Sequence, residues 1–327
     1  MNKIQKVLVG MLSAFTLALA PFNSAHAQAY EPDDPEYYFH IVAYWSPHPF
    51  WTTFAKGAMD AAKHYNVKVI NEQFPKEDHQ AQADRVDEVR ANNPDGMVVS
   101  IGNMGLIEGP VRRAIEAGIP VYAANGNDNR PPDQRIPLIG FAGMDSVEDG
   151  RTVAREMLKV RPVKHIVIAN QHPGHAILEA RAKGIREVME PLGVKVTVLA
   201  ITMNPTETLE RFRAHWTRNP ETDAFTTLSA EPHNQIARDF FKEEGLLDKV
   251  LNITFDMSTD TLEATKNGEM LGMMDSQVYL QGYLPIAMLY LYKKYGFQMG
   301  NLNTGNFFVH KGNAEMVGEG IEGGWRR

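Results

Sequence analysis

Polar side chains recur within a few residues of the ends of the apolar runs of this chain. The residues that share this position are amides, hydroxyls, carboxylates and imidazoles: Asn103, Asn125, His172, His175, Ser229, Asp256, Ser276 and Gln277. A guanidinium, Arg181, follows in the next helical segment. If the runs are parallel strands, their carboxyl ends meet at one edge of a sheet, so these side chains share one site. Such groups hold the hydroxyls of a ligand from several directions, because a hydroxyl both donates and accepts hydrogen bonds.

Aromatic residues gather in one short segment after the first apolar run. In chain order the segment contains Tyr44, Trp45, His48, Phe50 and Trp51. A core does not require so many rings at a turn or a helix start, whereas the C–H face of a sugar packs well on such rings. Any single one of the polar residues is equally well interpreted as a helix cap or a turn former. As a set, the polar and aromatic residues predict a cleft suited to a sugar or polyol.

Motifs of catalysis and cofactor binding are mostly absent from the sequence. There is no Walker A sequence and no G-x-S-x-G elbow. A G-x-G-x-x-G at Gly318, Gly320 and Gly323 has neither a predicted strand before it nor a predicted helix after it, and a dinucleotide site needs both. His172 and His175 do not form a helical i, i+4 pair, so we interpret them as loop histidines rather than metal ligands. The sequence therefore predicts no cofactor and no metal.

Composition and charge narrow the class of protein. The 327 residues suit two domains better than one, and 43% hydrophobic with 22% charged residues is typical of a globular protein. Lys and Arg number 33 against 40 Asp and Glu, which gives a net charge of -7 and disfavours nucleic acid as a partner. The absence of cysteine excludes a disulfide framework, a thiolate metal site, a Cys nucleophile and a lipidated cysteine anchor.

The N-terminus has the pattern of a secretory signal over residues 1–27. Lys3 and Lys6 precede an apolar stretch at 7–20, and Ala25-His26-Ala27 is an A-x-A cleavage site. The stretch is too short for a membrane span of about 20 residues, and no later segment approaches one. We therefore predict cleavage after Ala27 and a periplasmic protein that is not embedded in a membrane.

The body of the chain alternates strand and helix patterns. Ten apolar runs of strand length are Phe39–Trp45, Val67–Ile70, Gly96–Ile101, Pro120–Ala124, Leu138–Ala142, His165–Ala169, Val194–Ala200, Ala224–Leu228, Val250–Phe255 and Met270–Met274. Segments of 3.6-residue periodicity separate them, with Asp78, Asn204 and Ser258 as candidate N-caps. This order predicts an α/β fold with doubly wound parallel sheets. A second series of strands starts at about 163, so we expect two lobes joined by short hinges with a cleft between them.

Several short segments carry a resemblance to a known family. They are His48-Pro-Phe-Trp51, Lys56-Gly-Ala-Met-Asp-Ala-Ala62, Pro94-Asp-Gly-Met-Val-Val-Ser100, Ala117-Gly-Ile-Pro-Val121, Leu178-Glu-Ala-Arg181, Thr254-Phe-Asp256 and Tyr279-Leu-Gln-Gly282. In order and spacing the chain resembles the ribose-binding-protein family of periplasmic solute receptors for ABC importers, which has the type I periplasmic binding fold. The resemblance implies three hinge crossings with a sugar between the lobes. It implies an N-terminal lobe of 37–143 plus about 277–303, and a C-terminal lobe of 144–276 plus about 304–327.

The resemblance also implies roles for single residues. The positions that match the family's ligand contacts are His48, Phe50, Trp51, Arg181, Ser229, Asp256 and either Ser276 or Gln277. The family's Asp-Arg pair after the fourth strand is replaced here by Asn125-Gly126. This difference points away from ribose and towards another pentose, a polyol or a furanose-like signal molecule.

The predicted mechanism is closure of the lobes around a ligand rather than catalysis. We expect a monomer that delivers a small-molecule sugar or polyol to the permease subunits of an ABC transporter. One alternative is an exported sensory receptor for a furanose-like signal such as autoinducer-2. Another is a sugar-acting periplasmic enzyme, for which Glu231 and Asp256 form the one tempting acid–base pair.

Overall fold

The computed structural model describes residues 27–45, 49–76, 78–229 and 232–326. The predicted signal peptide lies outside these ranges except for Ala27, and so do His48 and Glu231. For Tyr44 and Trp45 the backbone alone is described.

Strands and helices alternate along most of the described chain. The strands are β1 (Gln28–Tyr30), β2 (Tyr38–Trp45), β3 (Lys68–Phe74), β4 (Gly96–Val99), β5 (Val121–Ala124), β6 (Gly140–Gly143), β7 (His165–Asn170), β8 (Lys195–Ala200), β9 (Ala224–Thr227), β10 (Leu251–Phe255), β11 (Gly272–Asp275), β12 (Gly300–Asn303) and β13 (Phe307–His310). The α-helices are α1 (Pro49–Tyr65), α2 (His79–Ala91), α3 (Met104–Glu116), α4 (Ser146–Val160), α5 (Ala176–Met189), α6 (Pro205–Arg218), α7 (His233–Glu243), α8 (Thr259–Asn267), α9 (Val278–Tyr295) and α10 (Ala314–Glu322). Each of the ten predicted runs overlaps one of the strands β2 to β11, so those predictions are confirmed.

The strands form two sheets, and each sheet is the centre of one lobe. The first lobe has the strand order β1-β3-β2-β4-β5-β6-β12, and the second lobe has the order β13-β11-β10-β9-β7-β8. Neighbouring strands are parallel except at β1 with β3 and at β13 with β11. In the first lobe, α1 and α9 cover one face of the sheet and α2 and α3 cover the other. In the second lobe, α4 and α5 lie opposite α6 and α7, which confirms the doubly wound α/β prediction.

The chain crosses between the lobes three times. It leaves the first sheet after β6, returns after β11 to form α9 and β12, and leaves again between β12 and β13. Side-chain hydrogen bonds tie the last two crossings together. The Ser276 carbonyl oxygen accepts from Gln281 Nε2 at 2.7 Å and from Thr304 Oγ1 at 3.0 Å, and Gln277 Nε2 donates to the Thr304 carbonyl oxygen at 2.8 Å. The cleft is therefore hinged on a short, cross-linked group of backbone segments.

Helix starts follow the chemistry expected from their sequence. The side chains of Asp78, Asn204 and Ser258 accept backbone N–H groups in the first turns of α2, α6 and α8, as predicted. No described helix combines the length and the apolar character that a membrane crossing requires.

The interpretation of the C-terminal glycine motif is wrong in one respect. A strand, β13, does precede it, and Gly318 and Gly320 lie inside α10. The glycine motif is part of an amphipathic helix, because Ala314, Val317 and Ile321 of α10 pack into the core of the second lobe. Since the glycines are not at the first turn of a helix, they do not form a phosphate-binding turn.

Close helix pairs flank the cleft in both lobes. In the second lobe, a Cβ on Gly150 would lie 2.1 Å from the Arg181 carbonyl oxygen, and one on Gly184 would lie 1.9 Å from the Val147 carbonyl oxygen. Helices α4 and α5 therefore touch backbone to backbone, which only glycine allows. Gly57 and Gly282 do the same for α1 and α9 in the first lobe, where each added Cβ would meet a carbonyl oxygen at 2.0 Å. These contacts fix the helices that carry side chains into the cleft.

Candidate functional site

A cavity of about 280 Å³ lies between the lobes, at the carboxyl ends of the strands. The first lobe contributes residues that follow β4 and β5 and the start of α1. The second lobe contributes residues that follow β7, β9 and β10 together with the first turns of α5. Eight of the residues predicted for the site line it: Phe50, Trp51, Asn125, His172, His175, Arg181, Ser229 and Asp256.

An ion pair between Arg181 and Asp256 lies in the wall formed by the second lobe. Arg181 is only 5% exposed, and its Nη1 and Nη2 donate to Asp256 Oδ2 and Oδ1 at 3.3 and 3.4 Å. Nη1 also donates to the Leu228 carbonyl oxygen at 2.5 Å. The guanidinium carbon lies 4.5 Å from the centre of the Phe255 ring, so an aromatic face supports the cation from one side. The cation is thus held in place before any ligand arrives.

The orientation of Asp256 depends on an uncommon backbone conformation. Its φ of 61° is in the left-handed region, and its N–H donates to the Met274 carbonyl oxygen at 3.0 Å. Ser276 Oγ donates to Asp256 Oδ1 at 3.2 Å. A non-glycine residue in this conformation is frequent at functional sites, where the strain is held by neighbouring contacts. The carboxylate therefore sits between Arg181 and the second crossing, and 24% of its side-chain surface is exposed.

Asn125 links the cavity to the crossings from the first lobe. It also has a left-handed backbone, with φ of 62°, and its Nδ2 donates to Gln281 Oε1 at 3.2 Å. Gln281 is fully buried and donates in turn to the Ser276 carbonyl oxygen. A chain of hydrogen bonds thus runs from one wall of the cavity into the hinge.

The loop between β7 and α5 is built by its own polar residues. Asn170 Oδ1 accepts the His172 N–H at 2.9 Å, and Asn170 Nδ2 donates to Glu179 Oε1 at 3.1 Å. The same Glu179 oxygen accepts the Gly174 N–H at 2.9 Å. This small network fixes the loop that brings His172 and His175 to the cavity.

Aromatic rings form part of the opposite wall. Phe50 and Trp51 are in the first turn of α1, with ring centroids 5.0 Å apart in an edge-to-face arrangement. Trp51 also meets the buried Phe54 ring edge-on at 5.4 Å. The cavity therefore has an aromatic side in the first lobe and a side in the second lobe that carries both polar and apolar groups.

The electrostatics of the cavity are close to neutral. Among the described residues that line it, Arg181 and Asp256 are the only two with a permanent charge, and they face each other. His233 is almost fully buried, and burial lowers its pKa, so the imidazole is neutral at pH 7. A charged ligand would therefore find the opposite charge already paired at this site.

The other predicted residues have different positions. Asn103 is the exposed N-cap residue of α3 and does not line the cavity. Ser276 and Gln277 lie in the second crossing, where Ser276 contacts Asp256 and Gln277 contacts Thr304. Tyr44 and Trp45 end β2, which leads towards the cavity.

Several lining residues were not predicted from the sequence. They are Ser100, Met144, Ser146, Gln171, Met203 and His233. Gln171 directly follows β7 and donates to Ser229 Oγ at 2.8 Å, so the rule for strand ends applies to it as much as to His172. Met144 and Met203 carry no such signal, because an apolar residue in a loop is equally compatible with the core.

Comparison with known proteins agrees with this architecture. The model of the periplasmic binding protein domain matches residues 39–296. The chain belongs to the periplasmic binding protein family.

Relatives of this periplasmic binding protein include sugar receptors. The xylose/arabinose-binding protein XylF of Sulfolobus acidocaldarius is 21% identical over 310 residues, which cover 91% of this chain and 77% of that protein. A carbohydrate transporter from Acidothermus cellulolyticus, solved in complex with myo-inositol, is 26% identical with a TM-score of 0.76 and covers 89% of this chain and 100% of that one. A periplasmic ribose ABC transporter from Conexibacter woesei has a TM-score of 0.75 at 18% identity, covering 90% and 98%. The similarity to the ribose transporter shows that the two proteins share a fold.

Proposed function

We propose that this protein captures a neutral sugar or polyol by closure of its two lobes and delivers it to an ABC-type importer. The observation that carries the proposal is the Arg181–Asp256 pair in a cavity that both lobes line. A ligand that contacts both walls binds the closed form more tightly than the open form. It therefore shifts the population towards closure by that difference in affinity.

The size of the cavity supports a small ligand. Its volume of about 280 Å³ is at the lower end of ligand pockets, which run from about 300 to 1,000 Å³. Paired Asp and Arg give charge-assisted hydrogen bonds to hydroxyls without requiring an ionic ligand. The relatives named above are associated with xylose and arabinose, with myo-inositol and with ribose. Pentoses and cyclitols are thus the first compounds to test.

Export and delivery complete the proposal. The mature chain starts at Gln28 after signal cleavage and works in the periplasm as a monomer. The lobes comprise 37–143 with about 277–303, to which β1 (Gln28–Tyr30) adds an edge strand, and 144–276 with about 304–327. The permease subunits of the importer recognise the closed arrangement, in which the lobe surfaces beside the cleft come together.

A thermal-shift screen of residues 28–327 tests the ligand class. The neutral compounds are xylose, arabinose, ribose and myo-inositol, and the charged comparisons are gluconate and glucosamine. A ligand at 100 times its Kd stabilises the native state by about 2.7 kcal/mol and raises the Tm by several degrees. We expect at least one neutral compound to do so, and neither charged one.

Mass spectrometry of the denatured protein completes this test. A sugar or polyol that co-purifies would already fill the cavity, and its identification would support the proposal. A strong shift with gluconate or glucosamine alone would refute a neutral ligand. No shift with any compound, together with no co-purified sugar, would refute the sugar proposal itself.

A further inference from the structure

The last residues of the described chain fold back over the end of α10. We call residues 323–326 the C-terminal tail. The N–H groups of Trp325 and Arg326 donate to the Gly320 carbonyl oxygen at 2.8 and 3.0 Å. A Cβ on Gly323 would lie 2.3 Å from the Trp325 ring, and one on Gly320 would lie 2.8 Å from Arg326 Cδ. Gly320 and Gly323 of the C-terminal glycine motif therefore leave the space that the tail occupies.

The tail is anchored on the second lobe by Arg326. Its Nη1 donates to Asp275 Oδ2, and its guanidinium carbon lies 5.1 Å from the centre of the Phe307 ring in β13. Asp275 is fully buried at the end of β11, directly before the second crossing between the lobes. Burial raises the pKa of Asp275, and the charge of Arg326 and the hydrogen bond from the Gln277 N–H oppose that shift.

From this anchor the tail reaches the first lobe. Lys56 Nζ, on α1, lies 5.9 Å from the centre of the Trp325 ring. A Cβ on Gly324 would lie 3.5 Å from the Lys56 side chain. Asp60 holds the lysine in place through an ion pair of 2.7 Å. The tail thus contacts α1, the same helix that carries Phe50 and Trp51 into the ligand cavity.

A second cavity shows where this contact lies relative to the cleft. Its lining combines the N-terminal parts of α1 and α8 with the end of α10 and the tail: Thr52, Thr53, Lys56, Thr259, Ile321, Gly324 and Arg326. Helices α1 and α8 start soon after the carboxyl ends of β2 and β10, which is the side of the sheets where the ligand cavity opens. Since the tail contact lies on the same side of the sheets as the cleft, we expect a rotation that widens the cleft to move α1 away from the tail as well.

We propose that the C-terminal tail is a strap between the lobes, and that the contact of Trp325 with Lys56 favours the closed arrangement. This inference depends on the proposed function in one respect, because it assumes that closure of the lobes holds a ligand. Trp325 and Lys56 are positioning residues, because neither lines the ligand cavity. Trp325 is 52% exposed, so its removal leaves the core intact.

Trp325→Ala tests the strap, with Tyr295→Ala as the matched control. Tyr295 is 57% exposed and its ring centre lies 5.8 Å from Lys294 Nζ, but both residues belong to α9 of the first lobe. An exposed cation–π contact corresponds to about a two- to fivefold change in an equilibrium constant. We therefore expect Trp325→Ala to raise the Kd of the best ligand by about that factor, through faster dissociation, or to raise the ligand-free radius of gyration in X-ray scattering. Trp325→Phe keeps a ring over Lys56 and should restore most of the effect.

The outcomes separate the strap from the proposed function. If Trp325→Ala changes neither the Kd nor the radius of gyration, the strap is wrong. It is also wrong if Tyr295→Ala has the same effect, since that contact lies within one lobe. If the wild-type protein binds no sugar or polyol, the proposed function fails, and the ligand-free radius of gyration alone then decides for or against the strap.

Discussion

The buried carboxyl group of Asp149 allows a prediction of how the free energy of unfolding changes with pH. Asp149 lies in the first turn of α4 and is fully buried against the third crossing. Its Oδ1 accepts the Asn306 N–H at 2.6 Å, whereas its Oδ2 has no hydrogen-bond partner among the described residues. Burial raises its pKa from the ordinary 3.8 to about 6; the charge of Arg181 opposes the shift, and Asp256 adds to it. At pH 7 the group is mostly ionised, and its burial makes the folded state less stable than it would be if this position carried no charge.

The sign and size of the effect follow from linkage. Because the pKa of Asp149 is higher in the folded state, the group does not reduce the free energy of unfolding below pH 3.8. The free energy of unfolding then falls as the pH rises from 3.8 to about 6. The full shift corresponds to about 3 kcal/mol of destabilisation at pH 8, of which about 1 kcal/mol is already present at pH 4.5. Asp149→Asn removes this dependence while its amide oxygen can still accept from Asn306. The free energy of unfolding of the variant relative to the wild type should thus rise by about 2 kcal/mol between pH 4.5 and pH 8.

Urea unfolding at a series of pH values measures this difference. Any constant cost of the new amide cancels, because only the change with pH is compared. Asp128→Asn is the control, because the fold lowers the pKa of Asp128 and raises that of Asp149. Burial also opposes the charge of Asp128, but hydrogen bonds from Arg130 and from the Ile136 N–H outweigh it and lower the pKa to about 2. The stability from Asp128 is present above pH 3.8 and is lost only as the pH falls towards 2, so the cost of Asp128→Asn, about 2 kcal/mol, should be constant from pH 4.5 to 8.

A flat profile for Asp149→Asn would refute the reasoning. It would mean that water or a cation reaches Oδ2 and keeps the carboxylate at its ordinary pKa. A profile that fell with rising pH would refute the sign as well, since it would require the carboxylate to be stabilised by the fold.

Two further predictions concern the second lobe. Asp256→Asn should weaken binding of the ligand from the screen by about 10- to 100-fold in calorimetry, because a charge-assisted hydrogen bond contributes about 1.5–3 kcal/mol; unchanged affinity with an intact circular dichroism spectrum would remove Asp256 from the site. Gly184→Ala should lower the free energy of unfolding by about 1–3 kcal/mol and weaken binding as well, because its Cβ would lie 1.9 Å from the Val147 carbonyl oxygen and force α4 from α5. Gly105→Ala in α3 is its control: the nearest atom to the new Cβ is 3.5 Å away, so stability should stay the same or increase by about 0.5–1 kcal/mol, and an equal loss in both variants would contradict the packing argument.

The interior of the fold could be predicted from the sequence because its strands are buried on both faces. Strands such as β4, β5 and β9 are buried at every position, so they appear as continuous apolar runs. The two edge strands of the first sheet lack this signal. Of the two unpredicted edges of the first sheet, β1 is mostly exposed and β12 alternates between partly buried and exposed residues. Both are fixed by pairing with a neighbouring strand rather than by their own composition.

The candidate site could be predicted to the extent that it follows the rule for strand ends. Asn125 and Asp256 come directly after strands, Ser229 lies two residues after β9, and all three line the cavity. Asn103 has the same pattern but starts α3 as an exposed N-cap. The rule does not separate a residue that faces the other lobe from one that only ends a strand. That difference depends on how the two sheets are oriented, which no local pattern contains.

The glycines between α4 and α5 explain how the second lobe holds its polar wall in a fixed position. Arg181 is on α5 and Asp149 is on α4, and the two helices touch where Gly184 and Gly150 leave no side chain between them. The Arg181 guanidinium therefore lies close enough to Asp149 to influence its pKa, although no hydrogen bond joins them among the described contacts. A ligand that contacts the Arg181–Asp256 pair is thus coupled electrostatically to a carboxylate that holds the third crossing. Ligand binding should therefore itself shift the pKa of Asp149, and the ligand's Kd should change with pH near 6 more in the wild type than in Asp149→Asn.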